Sequence, residues 1–203
     1  MQTMTRLYDS HDAAVTVVNK LEAAGISHGD ISIVSNNAEG RLIDGHTLND
    51  QDDATATGAG TGASIGTVLG GGAGLLAGIG ALAIPGVGPI VAAGWLVAAL
   101  TGAGVGAAAG GLLGSLTGAG VSEEDSHVYA EGVRRGGTLV TVRADEAQAA
   151  QIRSMLDDTT PVDITTRRTE YETEGWDKHD VAATPYTAEQ VSAERSRRIV
   201  STP

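Results

Sequence analysis

Apolar and polar positions follow two rhythms along this chain, and each change of rhythm marks an element. Residues 4–9, MTRLYD, read as a short strand. In SHDAAVTVVNKLEAAG the residues Ala14, Val17, Val18 and Leu21 recur at the three-and-four spacing of a helix that hides one face, and Gly25 is a natural stop. DISIVSN then alternates, with Ile31 and Ile33 between polar neighbours, as a half-buried strand does. Together these segments predict a βαβ unit. The polar, turn-rich NNAEGRLIDGHTLNDQDDATAT that follows reads as a loop.

The pattern returns after residue 121. Ser122 with Asp125 three residues on has the spacing of a helix capping box, so SEEDSHVYAEGVRRG reads as a helix ending near Gly136. TLVTVR alternates as a strand, DEAQAAQIRSMLDD places Ala149, Ile152 and Leu156 on one helical face, and VDITTR, rich in β-branched residues, reads as a last strand. Two βαβ units in one antiparallel sheet make an α+β, ferredoxin-like split βαβ sandwich. From Thr169 to Pro203 the chain turns polar and acidic and is expected to form a flexible tail, in which Thr187 and Gln190 cap a short helix AEQVSAERSRRIV. The expected organisation is a first βαβ half with its polar loop over 1–53, an insertion over 54–121, a helix with the second half over 122–168, and the tail over 169–203.

The insertion has no such rhythm. Between Asp53 and Glu123 runs a stretch of 69 residues without an acidic or basic side chain, with IPGVGP near its middle. The simplest expectation is a glycine-rich α-helical hairpin, one helix over about 58–84 and the other over about 89–118, turning at the prolines. Glycines then fall four apart at Gly58, Gly62, Gly66, Gly70, Gly74 and Gly78 in the first helix. In the second they are Gly94, Gly102, Gly106, Gly110, Gly114 and Gly118, with Ala98 in the gap. Such a ridge lets another backbone approach closely, as in small-xxx-small helix pairs. The eighteen glycines in these two helices cost about 15 kcal/mol relative to alanine, so neither helix stands alone in water. The ridge also winds around the helix axis, because a step of four overshoots a full turn. One straight neighbour therefore cannot cover it, and the hairpin is expected to pack against other copies of the chain, or against lipid on its bulky side and helices on the other.

Charge narrows the partners. Thirteen basic against 25 acidic residues give a net charge of −12, which argues against nucleic acid and against an anionic membrane held by charge. For a membrane hairpin, each arm exceeds the ~20 residues needed to span a bilayer, but the flanks are acidic and carry no Lys or Arg anchors. Assembly in water and association with a membrane both remain open. With no cysteine there are neither disulfides nor thiolate sites, and the start MQTMTRLYDSHDAA has no apolar core of a secretory signal, so the expected location is cytoplasmic, at a membrane if the hairpin engages one.

LYDSHDAAVTVVNKLEAAG with DISIV, then GLLAGIGALAIPGVGPIVAAG, then VSEEDSHVYAEGVRRGGTLVTV, resembles bacterial general stress proteins that carry the heat-induced stress-protein domain, over about residues 4–168. The resemblance implies a stress-linked role and no established reaction.

Ordinary readings account for the remaining motifs. GIGALA over 78–83 matches a dinucleotide-binding GxGxxA but has neither the preceding strand nor the following acid, and no cofactor is expected. Glu123, His127 and Glu131 fall four apart, a spacing that suits a metal ligand set and equally a solvated helix face, which is the preferred reading. Asp9, Ser10, His11 and Asp12 are adjacent and cannot converge on one reacting atom, whereas Asp9 or Ser10 suits a helix cap. Arg134 and Arg135 suit the negative end of their helix, although an acidic tail of a partner would also bind them. No acid, base and nucleophile cluster, so the expectation is a non-enzymatic, stress-associated protein that forms a homo-oligomer through its glycine zipper. The alternative is a sensor of a small ligand or metal built on the sheet domain.

Overall fold

The computed structural model describes residues 1–39, 80–84, 86–102 and 107–200. Five strands form one antiparallel sheet: β1 (Gln2–Tyr8), β2 (Ile31–Asn36), β3 (Gly80–Ile84), β4 (Gly88–Gly94) and β5 (Thr138–Ala144), in the order β1-β5-β2-β4-β3. Seven α-helices accompany them among the described residues: α1 (His11–Ala23), α2 (Trp95–Gly102), α3 (Ala107–Gly118), α4 (Glu123–Arg134), α5 (Glu146–Asp157), α6 (Ile164–Thr173) and α7 (Ala188–Val200).

Both β1 and β2 pair antiparallel with β5, so they run parallel to each other with β5 between them. The crossover α1 starts where Ser10 accepts a hydrogen bond from the Ala13 amide, and ends before Gly25, whose φ is +84°. Its predicted stripe of Ala14, Val17, Val18 and Leu21 is buried with Ile152 and Leu156 of α5 against Met4, Ile31, Ile33, Val140 and Val142. On the opposite sheet face, Leu7, Val34, Ile90 and Leu139 pack with Leu96, Leu100, Leu112, Leu116 and Val133. Strand β2 is therefore buried on both faces rather than one. Its polar positions are satisfied internally: the Ser32 hydroxyl donates to Ala93 O (2.8 Å) and the Asn36 amide group to Arg134 O (3.1 Å).

Three expectations are corrected. Residues 80–94, expected at the meeting of two helices, form the β3–β4 hairpin, with Leu82 opposite Ile90 and Ile84 opposite Gly88. Gly86 supplies the turn at φ +75°, with the Val87 amide donating to Ile84 O at 3.1 Å. A short uninterrupted apolar run does not distinguish strand from helix by period, and here Ile84, Val87, Ile90 and Val91 favour the strand. Helices do follow, but as two segments, α2 and α3, the second broken at Gly111.

The last strand expected over VDITTR is not formed. One backbone bond joins Val162 N to Leu7 O (2.8 Å), after which Asp163 caps the Thr166 amide (2.7 Å) and starts α6. The helix wins because Asp163 is a strong cap and because Arg167 and Tyr171, four apart, bury one face of it.

The acidic tail is not loose. Residues 169–200 complete α6 and form α7, and Tyr171, His179, Val191 and Glu194 are buried. The capping pair expected at the start of α7 is present: Thr187 N donates to Gln190 Oε1 (2.9 Å) and Gln190 N to Thr187 Oγ1 (3.3 Å).

Candidate functional site

Two features stand out: the helix end where the tail docks, and the glycine positions of the insertion. Gly58, Gly62, Gly66, Gly70, Gly74, Gly78 and Gly106 lie outside the described residues. Gly94 ends β4 and belongs to no helical ridge; its φ is +93° and an added Cβ would lie 2.1 Å from Ile31 O, so the strand pairing itself demands glycine there. Gly102 ends α2, and Gly110, Gly114 and Gly118 lie in α3. Leu112 and Leu116 of α3 are fully buried against the sheet. Gly114 and Gly118, on the other side of the same helix, meet no described atom within 4 Å of an added Cβ.

The tail-docking centre is built around one carboxylate. Glu131, on the last turn of α4, accepts from Arg134 Nη1 (2.9 Å) and Arg135 Nε (2.8 Å), and pairs with His179 Nδ1 (3.2 Å). The side chains of Glu131 and His179 are each 2% exposed. Burial alone would push the Glu131 carboxyl up, but His179, Arg135 and Arg134 outweigh it and hold the group at about 2. Arg135 in turn pairs with Glu174 and lies 4.0 Å above the Tyr171 ring; Arg134 reaches Thr184 O (2.9 Å) and stacks 4.5 Å over Tyr186. Burial would lower the basicity of Arg135, yet Glu131 and Glu174 raise it above the ordinary arginine value. Both arginines thus share Glu131 of their own helix, and the tail of the same chain adds acids to Arg135 and a carbonyl and an aromatic ring to Arg134.

Shape reinforces charge. An added Cβ on Gly86 would lie 2.6 Å from Asp180 O, one on Gly88 2.8 Å from Pro185 Cβ, and one on Gly136 2.7 Å from Val191 Cγ1. The tail therefore lies directly on the turn of the β3–β4 hairpin and on the end of α4. Arg195 fixes α7 there by donating to Gly136 O through Nε (3.1 Å) and Nη2 (2.9 Å).

The remaining candidates separate. Glu131 turns inward to the arginines while His127 lines an outer cleft with Glu123, Glu124 and Trp176, so the three residues do not converge; among the described residues no group of acids and histidines could hold a metal ion. Asp9 pairs with Arg167, Ser10 caps α1, and His11 meets the Ser35 hydroxyl at 2.9 Å. Among the described residues no helix is long and apolar enough to cross a membrane. No protein-family description, no curated protein and no solved structure matches the chain.

The docking centre is not legible in the sequence because Glu174 and His179 stand 39 and 48 residues from Arg135 and Glu131, the groups they meet. One signal was present: an arginine pair ends α4 and a run of acids, Glu170, Glu172 and Glu174, ends α6.

Proposed function

We propose that this chain is a non-enzymatic, stress-associated assembly protein whose glycine-rich insertion joins copies of itself. The observation that carries the reading is the two-sidedness of α3: its leucines at 112 and 116 fill the sheet core, and its glycines at 114 and 118 meet no described atom. A helix face with no side chains gains little from water and much from a close second backbone. The rest of the glycine series continues the same four-residue spacing in the sequence. We read the scaffold as a ferredoxin-like split βαβ unit, with β1-α1-β2 around β5, in which α6 has replaced the final strand. The resemblance to bacterial general stress proteins supports the stress-linked role, and the acidic flanks of the insertion support assembly in the cytoplasm over insertion into an anionic bilayer. The self-associating chain should show a thermal midpoint that rises with protein concentration without added ligand. A midpoint independent of concentration, with a monomeric mass throughout, would contradict the proposal.

A further inference from the structure

We propose that the tail, residues 162–200, exchanges between two copies of this chain, each tail docking on the α4 end of the other copy with the α5–α6 connection as the hinge. This interface is distinct from the glycine face and does not depend on it. Residues 158–163 join α5 to α6, and Thr160 within them has φ +43°, the one non-glycine residue at positive φ among the described residues. That conformation is costly for a β-branched residue, and more so before a proline. The Thr160 side chain is exposed, so its own packing does not select the strained backbone. What selects it is the return path: just beyond Pro161 the chain is fastened to β1 by Val162 N donating to Leu7 O at 2.8 Å. Beside Thr160, the Thr159 hydroxyl is buried without a hydrogen-bond partner among the described residues, a second local cost. Both penalties belong to the connection that turns the tail back onto its own copy. Opened into an extended segment, residues 158–163 would span about 20 Å and release both.

The tail is built to move as a unit. Its two helices are tied to each other by the pair of Glu174 with Arg197 (2.9 Å), while Asp9 with Arg167 (2.9 and 3.0 Å) and Glu131 with His179 (3.2 Å) tie it to the rest of the chain. Each of these docking pairs joins a residue before the hinge to one after it, so each forms between copies with its partner unchanged. The exchange is isologous: two copies give each other the same segment, and every docking contact is made twice. The exchanged and the closed forms then differ at the hinge, where relief of strain in both copies works against the cost of association. A short strained connection favours exchange for that reason.

The test uses the intact chain, unfolded and refolded at high concentration as an equal mixture of isotope-labelled and unlabelled copies. Isotope-filtered NOE spectra should connect the Val191 methyls of one copy with Gly136 of another, the pair whose close approach marks the docked tail. Contacts across the glycine face would instead join α3 to α3, so the two interfaces are told apart. Sedimentation velocity of the chain carrying Gly114→Leu and Gly118→Leu should still show a dimer. Adding Thr160→Gly, which takes the same φ without strain, should weaken that dimer about tenfold or more. Deleting Thr159 and Thr160 shortens the return path and should leave dimer with no monomer. Val191–Gly136 contacts within single copies only, a chain that is monomeric once the glycine face is filled, or a dimer unweakened by Thr160→Gly would each overturn the proposal.

Discussion

The tail and the insertion form a pair of opposites. Residues 169–200 are polar, acidic and poor in apolar side chains, yet they dock through buried ion pairs and close contacts on glycines. Residues 80–118 are uniformly apolar, yet they divide into a β-hairpin and two short helices, with one side of α3 meeting no described atom. Buried charge gains nothing unless each partner stands in the right place, so it specifies one arrangement. Alanine and glycine without charge can be buried in many arrangements, and only a second surface selects one.

The largest effect should come from removing the tail. A chain ending at Arg168 leaves Glu131 with the two arginines but strips it of His179, and leaves Arg135 without Glu174 and Glu194, while uncovering the positions now filled by Tyr171 and Val191. Denaturant unfolding should show a loss of about 5 kcal/mol or more. A truncated chain as stable as the whole would make the tail an ornament on a self-sufficient domain.

Next comes the carboxylate itself. Glu131→Gln should cost about 3 kcal/mol near neutral pH, read from the same unfolding curves. Because the folded-state carboxyl titrates at about 2 rather than near 4.5, its contribution is complete above pH 4.5 and is lost as pH falls toward 2. The stability of the wild type should therefore fall more steeply than that of E131Q across that window. Parallel pH profiles would mean that the ion cluster does not fasten the tail.

A smaller effect separates shape from charge. Gly86→Ala and Gly25→Ala both place a side chain at positive φ, but only the former meets tail backbone, since an added Cβ at Gly25 has nothing within 4 Å. Gly25→Ala should cost about 1 kcal/mol and Gly86→Ala about 1 to 2 kcal/mol more, with faster amide exchange over 176–187 in the latter alone. Equal costs would remove the steric part of the docking.

How much of this could be read in advance follows the same division. The stripe of α1, the Ser122 cap of α4, the face of α5 and the capping pair of α7 are local signals, and each is found where the residues place it. The β3–β4 hairpin was hidden because alanine and glycine give a continuous apolar run with no period to read. VDITTR was hidden because its β-branched residues conceal an aspartate cap. The docking of the tail was hidden because the pairs that fasten it, His179 with Glu131 and Arg135 with Glu174 and Glu194, form only when distant segments meet. Composition describes polarity along the chain, and polarity alone does not separate a solvated segment from one that docks through buried ion pairs.

The glycine face of α3 is the point on which the assembly reading turns. Sedimentation velocity of the intact chain across a range of concentrations, beside Gly114→Leu combined with Gly118→Leu, tests it most directly. Among the described residues nothing lies within 4 Å of a Cβ added at either position, and leucine favours the helix by about 0.8 kcal/mol at each, so the variant should be at least as stable by itself. The wild type should sediment as an oligomer and the double variant as a smaller species. A monomeric wild type, or an oligomer unchanged by the two leucines, would contradict the account.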